Sequence, residues 1–214
     1  MPERLDLLLA GEPMQALADR ALFWPARRRL LLADLHLGKG NILRAAGIAV
    51  PSGGTGQDLA RLDALLRHTG ARSLWILGDF LHGARHAGVD AAWRALRDAH
   101  PDVEVAVVAG NHDRALAPAA FGLASLPEDV RDGPFRFRHA PLRRRQSNGG
   151  HVVCGHLHPV VRVPGLPGRL PAFQLEAGQT VLPAFSMFTG GAEAARDGGW
   201  IACVHGHLLA HAPG

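Results

Sequence analysis

The chain has 214 residues, 47% hydrophobic and 20% charged, which is the balance of a folded domain and excludes a disordered chain. It contains no apolar run near the roughly 20 residues that a membrane-spanning helix needs. The formal charge is +4 with Lys39 as the only lysine, so arginine supplies the basicity, which permits a polyanionic partner without requiring one.

In chain order, Leu5 to Leu9 predicts a short strand. The same run contains Asp6 and has no cleavage signature, so no signal peptide is expected. Ala21 to Trp24, Pro25, and Arg28 to Ala33 predict a hairpin whose second strand ends at Asp34. Thr55 to His68 predicts an amphipathic helix, with Leu59, Leu62, Leu65 and Leu66 on one face, Thr55 as its cap and Gly70 as its stop. Ser73 to Leu77 then reads as a buried strand leading to Asp79. Val89 to Ala99 reads as a second helix ended before Pro101, and Val103 to Ala109 as another apolar strand leading to Gly110-Asn111-His112.

The first half is therefore β-α-β-α-β, with polar residues at the carboxyl end of each strand, where open α/β sheets bind ligands. The second half changes character. Phe135 to His139 alternates strictly, and His151 to Cys154, Val160 to Val163, Val181 to Phe185 and Trp200 to Val204 follow between Gly/Pro turns. That pattern predicts a second sheet packed on the first. With no repeat, linker or low-complexity tail, residues 1–214 read as one domain. Cys154 and Cys203 lie inside apolar strand runs, as reduced core thiols of a cytoplasmic protein would.

The polar residues at strand ends occur in a fixed order: Asp34-Leu35-His36, Gly78-Asp79, Gly110-Asn111-His112-Asp113, His139, and Gly155-His156-Leu157-His158. Each block alone is unremarkable. Together they form a mixed imidazole and carboxylate set that suits Mn, Fe, Zn or Ni better than the oxygen-only shells of Ca and Mg.

This order resembles the calcineurin-like metallophosphoesterases, whose blocks read D-x-H, G-D, G-N-H-[DE], H and G-H-x-H. The resemblance implies an α/β fold, a four-layer α/β/β/α sandwich of two mixed β-sheets flanked by helices. It also implies a ligand map. Asp34, His36, Asp79 and His158 hold one metal, and Asp79 bridges to a second held by Asn111, His139 and His156. Two ions about 3.5–4 Å apart can share a hydroxide that attacks phosphorus in line with the leaving oxygen. His112, outside the ligand set, is then available as the general acid. Asp113 is read either as the carboxylate orienting that imidazole or as a simple helix-start residue. His151 is the rival of His139.

Flanking segments are similar to a narrower clade, the ligase-associated phosphoesterases called PdeM. They are Ala33 to Lys39, Arg44 with Gly47, Val50 to Gly53, Gly78 to His82 and Leu182 to Gly191. The likeness implies a bacterial, manganese-dependent phosphodiesterase with DNA endonuclease activity in DNA repair. It also implies functional association with an ATP-dependent DNA ligase, an exonuclease and a helicase. Lys39, Arg44 and His82 are the candidate substrate contacts, although each also reads as an ordinary surface charge or helix cap. Arg27 to Arg29 and Arg143 to Arg145 are candidate contacts to the backbone of single-stranded or flapped DNA. The alternatives are a phosphomonoesterase, a cyclic or dinucleoside nucleotide phosphodiesterase, and an inactive metal-site scaffold.

Overall fold

The computed structural model describes residues 3–83, 86–142, 149–195 and 198–212. It opens with a hairpin that the sequence hides. Strands β1 (Arg4–Leu9) and β2 (Glu12–Leu17) pair antiparallel across Ala10-Gly11, both at positive φ. Such a turn normally announces itself as Asn-Gly or Asp-Gly, and Pro13 argues against a strand, so β2 gives no sequence signal. The expected hairpin follows, with β3 (Ala21–Trp24) and β4 (Arg29–Leu32) joined by a single 3-10 turn at Pro25–Arg27.

The expected β-α-β-α-β run comes next. After β4 lie α1 (Lys39–Ala45), α2 (Gly54–Thr69), β5 (Ser73–Leu77), α3 (Ala87–Ala99), β6 (Glu104–Val108) and the short β7 (Ala124–Leu126). Strands β4 to β7 are parallel, and the seven strands lie in the sheet in sequence order. Helix α2 buries Leu59, Leu62, Leu65 and Leu66 as its spacing predicts, each contributing about 1.5–3 kcal/mol. Its cap differs from expectation. Gly53 is the N-cap, and the Thr55 hydroxyl, inside the first turn, accepts a bond from the Gly38 amide instead.

The second sheet contains β8 (Asp129–Asp132), β9 (Phe135–Arg138), β10 (His151–Cys154), β11 (Val160–Val161), β12 (Leu170–Glu176), β13 (Gln179–Val181), β14 (Gly199–Val204) and β15 (His207–His211). Its spatial order is β15-β14-β12-β13-β10-β9-β8, with β11 beside β12. The strand expected over Val181 to Phe185 ends at Val181, because the chain then leaves this sheet. Leu182 still donates to the Cys154 carbonyl, but Phe185 donates to Ala33 at the end of β4. Residues 182–186 thus tie one sheet to the other.

Both sheets are mixed and both are flanked by apolar layers. Helices α2 and α3 cover the first through a core that includes Leu62, Leu65, Ile76, Phe80 and Trp93. Trp24, Leu31, Phe135, Phe137, Val153 and Phe173 fill the space between the sheets. The outer face of the second sheet carries two small clusters, around Val152 and around Ala172, and among the described residues no helix covers it. Burial pushes both core thiols far above their usual range, Cys203 to about 12, so they are inert as nucleophiles. No described helix is long and apolar enough to cross a membrane.

Candidate metal centre

Strand geometry brings the polar blocks together. β4, β5 and β6 run parallel, so the residues after their last strand positions emerge at one edge: Asp34 and His36, Asp79, and Asn111 with His112. Strands β9 and β10 deliver His139, His156 and His158 to the same place from the other sheet. Backbone bonds fix the loops in register. The His36 amide donates to the Asp79 carbonyl at 2.7 Å, and the His156 amide donates to Asp34 Oδ2 at 2.9 Å.

Five of these residues pay a conformational cost. Asp34, His36, Asp79, His156 and His158 all have positive φ, between 46° and 73°. Left-handed backbone costs a residue with a Cβ roughly 1–2 kcal/mol, and such strain clusters where function demands it. The neighbouring glycines leave room for the ligands. A Cβ on Gly78 would lie 2.0 Å from His139 Nδ1, one on Gly110 2.2 Å from Asp79 Oδ1, and one on Gly155 2.6 Å from Asp34 Oδ2.

Two groups of donor atoms result: Asp34, His36 and His158, and Asp34, Asp79 and His139. Within the first, Asp34 Oδ1, His36 Nε2 and His158 Nε2 are buried without a well-formed hydrogen bond, Asp34 Oδ1 and His158 Nε2 meeting only each other at 3.3 Å. Buried polar atoms in that state are expensive unless something binds them. The far side of each ring supplies the explanation. His158 Nδ1 faces the Gly190 carbonyl at 3.1 Å and His139 Nδ1 faces the Leu77 carbonyl at 3.0 Å. Each ring therefore carries its proton on Nδ1 and keeps an Nε2 lone pair for a metal. Beside the second group, His139 Nε2 lies 3.0 Å from both Asn111 Oδ1 and His156 Nδ1. Lone pairs aimed at one another at that spacing fit ligands around a cation. The residues present therefore fit two metal ions.

Electrostatics agree. Burial, then the nearby Lys39 and histidines, lowers the His36 pKa to about 2, so the ring is neutral, as a metal ligand must be. Burial and His139 also lower that of His156. For His158 burial pulls the same way, but the Asp34 carboxylate outweighs it and the net shift is upward. A cation between Asp34 and His158 would take over that attraction.

The other predicted residues separate into two groups. His112 is exposed; its amide donates to Asp79 Oδ1 at 2.8 Å, and its ring stacks on His82 at 4.6 Å. His82 Nδ1 is 3.2 Å from His36 Nδ1. With His36 Nε2 reserved for metal, its Nδ1 donates and His82 carries its own proton on Nε2. Lys39 is half-buried, and its pKa is lowered by burial against the opposing pull of Asp34 and Asp79, which places its ammonium by the metal carboxylates. Arg44 instead turns its guanidinium to the Pro51 carbonyl and Asn41. Arg27 and Arg29 pair with Asp132 at the opposite end of the sheet, and Arg28 bonds the Gly70 carbonyl. Arg143 to Arg145 lie outside the described residues. His151, the rival of His139, bonds Thr180 at the start of β10, away from the cluster.

Asp113 opens a short 3-10 helix (Asp113–Ala115), as the helix-start reading has it, and it also takes a further part. Its oxygens accept from the Phe80, Leu81 and Gly110 amides, binding the Asp79 loop to the Asn111 loop. Sequence reasoning also missed the Leu77 and Gly190 carbonyls, because a backbone oxygen has no residue signature.

Comparison with solved structures finds the crystal structure of Pseudomonas putida nuclease MPE, 35% identical, with a TM-score of 0.85, covering 98% of this chain and 100% of that one. Yfce, a phosphoesterase from E. coli, matches at 19% identity and a TM-score of 0.50 over 87% of this chain and 99% of that one, which shows the fold alone. Comparison with curated proteins finds no match. The model of the calcineurin-like phosphoesterases matches residues 27–209, spanning every ligand block described above. The chain belongs to the calcineurin-like phosphoesterase family and is a metal-dependent phosphoesterase.

Proposed function

We propose that this protein is a manganese-dependent phosphodiesterase that cleaves DNA, acting in repair on single-stranded or flapped regions. The observation that carries the reading is the 35% identity, across its whole length, to a protein described as a nuclease. The geometry supports it. An exposed imidazole outside both ligand groups is of use to a substrate whose leaving group is a poorly acidic sugar alcohol.

Bound at these two groups of donors, divalent ions supply an activated nucleophile and neutralise charge on the phosphoryl oxygens. The chain's own residues do the rest. His112 protonates the departing alkoxide. His82, stacked against it, fixes the plane of that ring, and is held in turn by His36. Burial, with Lys39 and His112 nearby, lowers the His82 pKa to about 4, so His82 acts here as a neutral ring that accepts from His36. Lys39 adds a fixed positive charge beside the carboxylates, where a non-bridging phosphate oxygen would lie.

Manganese-loaded protein should hydrolyse single-stranded DNA and bis-nitrophenyl phosphate, with little activity on mononitrophenyl phosphate. Preference for the monoester, or for a cyclic nucleotide over DNA, would replace the reading with a small-substrate phosphoesterase. No turnover on any of them, with metal bound, would make the protein a scaffold.

A further inference from the structure

Helix α2 carries a buried carboxylate that contributes nothing directly to the metal centre. Asp58 is 2% exposed. It pairs with Arg61 at 2.9 Å, accepts from the Met187 amide at 3.3 Å, and is approached by the Ser186 hydroxyl. Arg61 also donates to the Phe185 carbonyl and lies over the Phe185 ring, 4.2 Å from its centroid. Arg20, from the turn between β2 and β3, donates to the Ser186 carbonyl at 3.1 Å. Three charged side chains thus converge on the backbone of three consecutive residues, 185 to 187.

Buried ion clusters are not efficient stabilisers, since apolar residues of equal volume often do as well. What such a cluster supplies is direction, and here it acts on an irregular segment next to the metal centre. Phe185 and Ser186 donate their amides to the carbonyls of Ala33 and Asp34. Four residues beyond Ser186, the Gly190 carbonyl faces His158 Nδ1. Between these points the Phe188 ring lies against Gly40 and Gly54, where a Cβ on Gly54 would be 1.9 Å from it. The segment therefore touches Asp34, which both donor groups share, at one end and His158, which belongs to the first group alone, at the other.

We infer that Asp58, Arg61 and Arg20 are positioning residues that hold segment 185–190 so that Asp34 and His158 keep ligand geometry for one of the two metals. The inference rests on the two-metal reading and adds that one site is tuned from α2. The second donor group shares Asp34 but takes its other supports from Asp113 and the Leu77 carbonyl, so it should feel this cluster less.

The test is a titration of the purified full chain with Mn²⁺, by calorimetry and chelator competition, for the parent, Arg61→Met, Arg61→Lys and Asp58→Asn. Loss of a partner behind a ligand typically weakens metal binding roughly 10–100-fold. The site that includes His158 should weaken by that factor in Arg61→Met and Asp58→Asn, while the other, which shares only Asp34 with it, weakens clearly less. Arg61→Lys, with a single ammonium that cannot fork between Asp58 and the Phe185 carbonyl, should rescue only in part. Bis-nitrophenyl phosphate hydrolysis should recover towards the parent kcat at saturating Mn²⁺. If Arg61→Met does not fold, Asp58→Asn, which keeps its size and an acceptor towards Met187, carries the same test. Equal weakening of both sites, or a lower melting temperature in chelator with both affinities unchanged, overturns the inference. Failure of the parent to bind two ions is a different result and sinks the metal map itself.

Discussion

The two ends of strand β4 put charge to opposite uses. At its start, Arg29 stacks over Trp75 at 3.7 Å and shares Asp132 with Arg27, at 2.6 and 2.9 Å. These charges sit near the surface in pairs that satisfy one another. Past its other end, Asp34 and His36 are buried and strained, and each keeps an atom with no hydrogen-bond partner. The first arrangement is complete within the protein. The second is complete only with a guest. Charge alone therefore marks neither function nor stability. The distinguishing sign is a buried polar atom whose partner is missing while the rest of its side chain is firmly held.

Substitutions at the two ends should differ accordingly. The largest effect should come from Asp79→Ala. Asp79 faces His36 and His139 at 3.7 Å each, and its other oxygen holds the His112 amide. We expect elemental analysis to show both ions lost or scrambled, and phosphodiester hydrolysis to fall about a thousandfold, since metal catalysis contributes several kcal/mol. A variant retaining two ions and its rate would remove Asp79 from the centre of the map.

His112→Ala should come next. With both ions retained, the rate on DNA should drop roughly 100-fold, and much less on bis-nitrophenyl phosphate, whose leaving group needs no proton. Equal losses on both substrates would assign the ring to binding or positioning instead.

Gly78→Ala examines the packing that surrounds the ligands. The added methyl would meet the His139 ring from a backbone with φ of 89°, so the variant should lose about 2–3 kcal/mol and its metal affinity. A melting temperature within a degree of the parent would show that the loop yields easily.

The smallest effect belongs to the other end. Asp132→Asn should cost less than about 1 kcal/mol at neutral pH and leave metal binding untouched. Burial raises the Asp132 pKa, but bonds from Arg29 and Arg27 more than offset that and leave it depressed. The pair therefore stabilises above the ordinary aspartate value of about 3.9. Its contribution is lost as the pH falls through the lower folded value. Parent and variant unfolding curves should converge in that acid range, and a gap that persists below it would assign the effect to packing.

Much of this contrast was legible in the sequence, and the exceptions share a cause. Asp34, His36, Asp79, His139, His156 and His158 stand out because their types are rare at the ends of apolar strands. Arg44 reads either as a phosphate contact or as an ordinary surface charge, and its guanidinium is turned to Pro51 and Asn41. The loop-binding part of Asp113 was missed because its partners are backbone amides, and Asp58 was missed because its hold on the Met187 amide is equally invisible in a list of side chains. Helix α1 escaped because seven residues flanked by glycines make no periodic pattern. Strand β2 escaped because Ala10 occupies a turn position that usually advertises itself.

The candidate metal donors come from both sheets: Asp34, His36, Asp79 and Asn111 from the first, His139, His156 and His158 from the second. A chain in which only one sheet has formed cannot assemble either full set. Ions bound here fasten the two halves together, so chelation should loosen the seam between the sheets before it disturbs either one. Metal uptake would then report that the two halves have met.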